Sequence, residues 1–391
     1  MATVTKIRVG VVFGGKSGEH EVSIESAKSV IEALDGNKYD VIPIAIDKQG
    51  RWSAGERALR VLEGGWATLQ TPRTDANGMQ TAPPSSPASS AASMGSSSEE
   101  VSQTVQTAQA SVIPERVMDS IDVLFPVLHG SYGEDGTVQG MFELLDVPYV
   151  GAGVAASSVG MDKILMKRMF AAMGLPQVDY VYCTRTEWET NPTAVTTRVE
   201  ERLGYPCFVK PANLGSSVGI SKAKSQAELH KAIDTAAKYD RKVIVEQGVD
   251  VREVEVAVLG NDTPKASVPG EVIPCNEFYD YRAKYLDGES TLMIPAPISD
   301  ELTEEIRRLA VEAYKAIDCS GLARVDFFIE KGTDRVLLNE INTMPGFTKF
   351  SMYPKLWEAT GVRYAALIDQ LLSYAIERAG ERRRSQIEFD V

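Results

Sequence analysis

The sequence predicts a mixed α/β chain, α/β with α+β character, of two or three domains, and three observations support this. The N-terminal third alternates strand-like and helix-like apolar patterns: Ile7 to Phe13, Glu19 to Leu34, then Tyr39 to Ile46. The length of 391 residues exceeds what one ordinary core accommodates. The last third carries a long hairpin pattern, GLARVDFFIEKGTDRVLLNEINTMPG from Gly321 to Gly346, in which polar residues recur two apart.

Ile7 to Phe13 is a buried-strand pattern broken by Gly14-Gly15, and the helix after it places Ile24, Ala27, Ile31 and Leu34 on one face. Together they make a βα unit with glycines at its elbow. Tyr39 to Ile46 is the second strand and Ile121 to Leu128 a third, fully buried one. Between Gly65 and Ser111 the composition turns to Ser, Ala, Thr, Pro and Gln, which predicts a disordered insertion at about 66–112. Helical spacing returns from Met161 to Met173, stopped by Gly174-Leu175-Pro176. Tyr205 to Val209 and Val243 to Gln247 read as strands bracketing a glycine-rich turn and a helix from Gln226 to Lys238. Glu253 to Leu259 alternates as a strand does, and Tyr364 to Arg384 reads as a helix with a charged, solvated face.

Composition excludes several classes. With 54 acids against 41 bases the net charge is -13, which argues against a broad nucleic-acid footprint and leaves small anionic ligands to local basic sites. No run approaches the ~18 apolar residues of a membrane span, and the N-terminus shows no secretory signal pattern. Cys183, Cys207, Cys275 and Cys319 are scattered without C-x-x-C spacing, which fits a reducing cytoplasm better than zinc or disulfides. His20, His129 and His230 leave histidine-led nucleophilic catalysis few candidates.

The chemistry concentrates in the hairpin. A turn centred on Thr333 would set Asp326 opposite Glu340 and Arg324 opposite Asn342, all on one face, with Val325, Phe327, Ile329 and Leu337 on the other. Three oxygen donors beside a guanidinium suit a hard divalent cation that keeps waters and bridges phosphates. The alternative is a solvated edge hairpin.

Elsewhere the signals are weaker. Gly10-Val11-Val12-Phe13-Gly14-Gly15-Lys16-Ser17 matches the phosphate-loop expression letter for letter, but Gly10 would lie inside the strand rather than past it, which makes the match a decoy. A phosphate-loop nucleotide switch is nevertheless the competing function of another class. The elbow presents Glu19 at the helix start, either to receive an ammonium group or to complement the helix dipole. Phe208 to Ser221 is a strand and a small-residue loop that could close on phosphates beside Lys210, or a surface turn. Glu246 and Glu253 flank a Gln247-Gly248 bend where a nucleobase and ribose could be read. EFYDYRAKY, from Glu277 to Tyr285, reads as a lid with Lys284 and Tyr285 inward, or as a loop packed by its aromatics.

Taken in order, GGKSGEHEVS, VLHGSYGEDG, MDK at Met161 to Lys163, KPANLGSSVG, YDYRAKY, RVDFF and NEINTMPGFT resemble the D-alanine:D-alanine ligases of the ATP-grasp superfamily. The resemblance spans nearly the whole chain outside the Ser-rich insertion. It implies a three-domain ATP-grasp fold: a Rossmann-like parallel-sheet domain at 1–151, a central lid domain at 152–247 and a catalytic domain at 248–391. It also implies an ATP-dependent ligase that makes D-alanyl-D-alanine for peptidoglycan precursors through a D-alanyl phosphate. An acceptor such as D-lactate or D-serine is the alternative, although the Lys284-Tyr285 pair resembles the dipeptide-forming members.

By resemblance, Glu19, Ser216, Tyr285, Arg324 and the N–H of Gly346 are catalytic. Glu19, His129, Arg324, Gly346, Ser351 and Met352 bind substrate, with a satisfied loop histidine as the other reading of His129. ATP would be held by Lys163, Lys210, Ser216, Ser217, Glu246, Gln247, Val249, Glu253, Lys284, Asn339 and Glu340. Two magnesium ions, with manganese as a substitute, would sit on Asp326, Glu340 and Asn342. The resemblance further implies small-molecule substrates, a homodimer through the N-terminal domain, and no nucleic-acid or membrane partner.

Overall fold

The structure, a computed structural model, describes residues 5–64, 119–215, 218–273 and 291–386, with two short strands inside the Ser-rich stretch. Its first sheet is built on β1 (Ile7–Gly14), parallel to β2 (Tyr39–Ile46) on one side and to β6 (Val123–Pro126) on the other, with β3 (Trp52–Ala54) antiparallel at the edge of β2. Strand residues alternate between two cores. Val9, Val11 and Phe13 face α1 (His20–Ala33), while Val12 and Ile44 face Phe142 of α3 (Thr137–Leu144). Helix α2 (Glu56–Gly64) packs Ala58 and Val61 into the first core. The third strand is shorter than the expected Ile121 to Leu128, because Asp122 is tied to the backbone and guanidinium of Arg8 and Pro126 has no N–H to extend the ladder. Within the expected insertion, β4 (Arg73–Thr74) and β5 (Gln80–Thr81) pair antiparallel; the rest of 66–112 lies outside the described residues.

The helix expected from Met161 to Met173 is two helices, α4 (Val154–Met161) and α5 (Lys163–Ala172). Asp162 breaks them: its backbone is extended and its carboxylate caps α5 by accepting from the N–H groups of Ile164 and Leu165. A second, antiparallel sheet has the order β7-β10-β8-β9, from β7 (Tyr180–Thr184), β8 (Cys207–Pro211), β9 (Ser221–Ala223) and β10 (Lys242–Gln247). Strand β8 starts two residues later than expected, since Pro206 offers no donor. Helices α6 (Arg185–Thr190), α7 (Pro192–Arg202) and α8 (Gln226–Tyr239) accompany this sheet, and Val195, Val199, Leu229 and Ile233 bury against it.

The third sheet is antiparallel, in the order β14-β13-β11-β15-β16, with β12 (Lys265–Ala266) beside β11. Its strands are β11 (Val251–Gly260), β13 (Gly270–Ile273), β14 (Thr291–Met293), β15 (Gly321–Glu330) and β16 (Val336–Asn342). Val254, Val256, Val325, Phe327 and Ile329 pack against α9 (Asp300–Ala316) and α5. On the opposite face, Ala257, Leu259 and Leu322 join the core of the first sheet through α10 (Met352–Ala359) and α11 (Tyr364–Arg383). The open face of the third sheet therefore ends at the first sheet.

Helix α11 differs from the expected solvated face. Arg378 lies 4.2 Å over the Tyr149 ring, donates to the carbonyls of Gly151 and Tyr149 (the latter at 3.1 Å), and reaches Ser320 Oγ at 2.7 Å. One turn on, Arg382 pairs with Glu143 and Asp146. These cations staple the first sheet to the third. No helix among the described residues is long and apolar enough to cross a membrane.

Candidate functional site

The hairpin pairs Asp326 with Glu340 and Arg324 with Asn342, the register expected, but by a different route. Ile329 pairs with Val336 and Phe327 with Leu338, so the turn is centred half a residue earlier than Thr333. The ladder then shifts between Asp326 and Phe327, leaving Asn339 as a bulge. The bulge reverses the parity of β16: Val336 and Leu338 face the core with Ile341, while Glu340 and Asn342 face the site. Leu337, expected on the core side, instead pairs with Phe328 on the face that carries Asp326; it is buried there.

Strand β11 extends this face, since Glu255 pairs with Asp326 and Glu253 with Phe328. Arg324 grips Asp326 with two bonds of 2.7 Å and lies 3.0 Å from Glu255 Oε2. Burial opposes the charge of the guanidinium, but Asp326 and Glu255 outweigh it and hold its pKa well above the usual range.

Two lysine systems stand over the hairpin. Lys163, the first residue of α5, places its Nζ 3.3 Å from Glu340 Oε2 and donates to the Leu214 carbonyl at 3.1 Å, so it joins the glycine loop to β16. Lys210 on β8 lies 2.6 Å from Glu246 Oε2, and Lys167 lies 3.1 Å from Glu246 Oε1, off the line of a hydrogen bond. Burial alone would raise the Glu246 carboxyl, yet the two ammonium groups bring it down to about 2. Burial pulls Lys167 below the usual lysine value, whereas at Lys210 the pull of Glu246 and Glu340 exceeds that of burial and raises it.

The donor chemistry of the hairpin fits a divalent cation. Asp326, Glu340 and Asn342 offer hard oxygen atoms from paired strands, and among the described residues no group of three metal-binding acids, histidines or cysteines exists that could cage a metal alone. Such a set suits an ion completing its shell with water and phosphate oxygens.

The elbow supplies the other wall. Gly14 and Gly15 have φ of 91° and 97°, and a Cβ on Gly14 would stand 2.2 Å from the Ile46 carbonyl, so only glycine makes this turn. Ser17 donates to the His129 carbonyl at 2.5 Å and accepts from the Glu19 N–H. A Cβ placed on Gly215 would lie 3.7 Å from Glu19 Oε1 and 3.6 Å from Glu134 Oε1, so both carboxylates converge on the glycine loop. Glu134 is raised to about 8, first by burial and then by Glu19.

His129 is held at both nitrogens: Nδ1 lies 3.0 Å from the Met344 carbonyl and Nε2 3.1 Å from Ser26 Oγ. A carbonyl only accepts, so Nδ1 carries the proton and Nε2 accepts from the serine. Burial pushes its pKa down, against the pull of Glu19. It is a neutral strut between α1 and the segment after β16, with no ring nitrogen left to aim at a substrate.

Gly346 sits against Ser351, whose Oγ would be 3.2 Å from a Cβ there and accepts from the Thr348 N–H at 3.1 Å. Met352, expected among the substrate-binding residues, turns its side chain into the core. It is 8% exposed and its methyl packs on Gly270 in the core, because it begins α10 on the buried face. What it can offer a ligand is its N–H at the helix start. Gln247 and Val249 flank the turn from β10 to β11, where the Gln247 N–H is taken by the Asp179 carbonyl. Ser216, Ser217, Lys284 and Tyr285 lie outside the described residues. Glu134, Lys167 and Glu255 were missed by sequence reasoning, although Glu134 stood in VLHGSYGEDG and Lys167 one helical turn after Lys163.

One motif elsewhere loses its functional reading. Gly10 is mid-strand, where a Cβ would meet Leu124 Cδ2 at 2.8 Å, and Lys16 is exposed over the Tyr132 ring, so the phosphate-loop pattern makes no loop. A cavity of about 700 Å³ lies beside Trp188, His230 and Asp234. In its wall Trp188 donates to Asp234, and His230 lies 3.0 Å from Thr196 Oγ1.

The family described as D-ala D-ala ligase N-terminus matches residues 8–152, and D-ala D-ala ligase C-terminus matches 169–373. The D-alanine--D-alanine ligase of Bacillus cytotoxicus is 48% identical over 381 residues, covering 97% of this chain and 99% of the relative. That of Geobacillus thermodenitrificans is 48% identical over 386 residues, covering 98% and 100%. Among solved structures, the D-alanine-D-alanine ligase from Coxiella burnetii superposes with a TM-score of 0.75 at 35% identity, covering 97% of this chain and 98% of that one. A D-Ala:D-Ser ligase from Enterococcus faecalis gives 0.75 at 33% identity, covering 95% and 100%.

Proposed function

The chain belongs to the D-ala D-ala ligase family, and from that premise we propose how its cleft joins two D-alanine molecules with ATP to make a peptidoglycan precursor. The observation that carries the reading is the single face on which Arg324, Asp326, Glu340 and Asn342 meet, with buried lysines above it and Glu19 opposite.

A free carboxylate is a poor electrophile, so its oxygen first takes the terminal phosphoryl group of ATP and ADP departs. The amine of the second D-alanine then attacks the acyl carbon, phosphate leaves, and the amine loses a proton. Lys163 and Lys210 counter the nucleotide's charge, a role the resemblance extends to Lys284; Glu246, Gln247, Val249 and Glu253 border the nucleoside. Asp326, Glu340 and Asn342 would hold two magnesium ions, which when bound neutralise the terminal phosphates. Glu19 receives the first substrate's ammonium group. Arg324 and the Gly346 N–H face the oxyanion that develops at the acyl carbon. Ser351 and the Met352 N–H, at the start of α10, take the second substrate's carboxylate. By the resemblance, Ser216 and Tyr285 would act with Glu19 to tie elbow, glycine loop and lid together and so exclude the water that would hydrolyse the acyl phosphate.

In this reading residues 1–151 hold the first substrate, and 152–247 and 248–391 clasp the nucleotide. The same resemblance supports a cytoplasmic homodimer, which light scattering would check. The deciding experiment is ADP release with D-alanine, L-alanine, D-serine and D-lactate as separate arms. Release that needs D-alanine and magnesium supports the reading; release indifferent to any amino acid overturns it.

A further inference from the structure

Lys167 is a fully buried ammonium that the mechanism above does not use. It stands one helical turn after Lys163 on α5, so the two project from one face of that helix. Lys163 reaches the site directly, whereas Lys167 ends against Glu246 with the Tyr180 ring 5.8 Å away. The carboxylate of Glu246 is divided between two cations, Oε1 facing Lys167 and Oε2 facing Lys210.

Neutralising Glu246 does not require Lys167, because Lys210 at 2.6 Å already does so. Stability does not account for it either. A buried ammonium pays a large desolvation cost, and a methionine of similar length would fill the space without that cost. Nor is it a directional donor, since its Nζ makes no hydrogen bond of acceptable geometry among the described residues. What remains is its charge. Two lysines share Glu246, with Glu340 drawing on both from farther off, and Lys210, with 12% of its side chain exposed, is the member that opens toward the cleft.

We infer that Lys167 is a positioning residue for the nucleotide phosphates: by sharing Glu246 it keeps Lys210 out of an exclusive pair with that carboxylate and leaves the remaining Lys210 N–H donors to the cleft. Lys167 touches no ligand itself. Without it, Glu246 and Lys210 would form a closed, neutral pair. The inference rests on the nucleotide reading of this cleft and adds to it a requirement that concerns the phosphates rather than the nucleoside.

The test uses the full chain and its variants Lys167→Met and Lys167→Gln, the second keeping a polar side chain of similar length while removing the charge. Phosphate release with D-alanine is measured against ATP, with ADP and adenosine as competitors. At an effective dielectric near 20, loss of one charge roughly 12 Å from a phosphate predicts about a tenfold rise in KM for ATP and in Ki for ADP. The Ki for adenosine, kcat and KM for D-alanine should stay within about twofold. Equal changes for ADP and adenosine, or none for either, overturn the inference, as does a Gln variant that retains wild-type ADP affinity. Unfolding of both variants also overturns it, because the charge would then serve the fold. Failure of the wild-type chain to bind ADP would instead overturn the nucleotide reading.

Discussion

Replacing Glu134 with glutamine should change how stability depends on pH, and the structure sets the size of the effect. Glu134 is buried at 9% exposure between the Gly130 turn and the glycine loop. Burial raises its pKa most, Glu19 and Glu340 add to this, and the Gly130 N–H and Lys163 oppose them; the result is about 8, against 4.5 for the free side chain. The folded state therefore binds more protons than the unfolded state throughout that window. Because the folded pKa is the higher one, the stability is fully present below about 4.5 and is lost as pH rises through about 8. Integrating from pH 5 to pH 8 gives a loss of about 3.5 kcal/mol from this one group. Glutamine does not titrate, so Glu134→Gln should gain on the wild type by about that amount over the same range. Equilibrium urea unfolding of the ligand-free chain at pH 5, 6, 7 and 8, followed by tryptophan fluorescence, measures the gap directly. Two profiles that stay parallel within about 0.5 kcal/mol would refute the burial argument, and so would a gap that narrows toward alkaline pH.

Three other perturbations probe the remaining parts of the argument. Glu340→Gln removes the charge that faces Asp326 and Lys163, and D-alanine-dependent ADP release should fall about 10²- to 10³-fold, while Lys16→Ala stays within about twofold; the reverse pattern would restore the phosphate-loop reading. Gly10→Val drives a side chain into Leu124, Ile121 and Ile44 and should cost about 1–3 kcal/mol in urea unfolding; a neutral result would mean that β1 and β6 pack less tightly than described. Arg378→Met keeps bulk over Tyr149 but leaves the Gly151 and Tyr149 carbonyls without their donor, at about 2–4 kcal/mol, read as a drop in melting temperature.

How much the sequence discloses depends on whether a pattern is local. Tyr39 to Ile46 is legible to the residue because an apolar strand bounded by polar turns carries its own signal. The break at Asp162 is local too, but helical periodicity on both sides hides it; the capping aspartate before Lys163 is the clue. The bulge at Asn339 was also within reach. Val336 and Leu338 occupy even positions and Ile341 an odd one, and no unbroken strand puts all three on one face. Correct pairing of Asp326 with Glu340 came from two errors that cancelled, a turn centred half a residue late and an uncounted bulge. The Arg378 staple and the sharing of Glu246 by Lys167 lie beyond any window, because their partners are distant in sequence and nothing near them announces a mate. Glu134 belongs to the same class, since its environment is made by Gly215 and Glu19 from other parts of the chain.

The charge inventory of the cleft constrains what can enter it. Among the described residues the cations are Lys163, Lys167, Lys210 and Arg324, while Glu19, Glu246, Glu253, Glu255, Asp326 and Glu340 supply carboxylates. Glu134, with its pKa near 8, stays largely out of that count at neutral pH. The cations are largely committed: Arg324 to Asp326 and Glu255, Lys163 to Glu340, and two lysines to Glu246. A bare triphosphate approaching this face would meet more negative charge than positive, in surroundings where screening is weak. On the proposed reading, divalent cations on the hairpin would thus be a condition of nucleotide affinity as well as of phosphoryl transfer, and ADP should bind weakly to the metal-free chain even where its adenosine moiety still fits. The same balance explains why one surplus lysine matters. Where the cations are already spoken for, a buried charge that touches no ligand decides whether Lys210 is open to one.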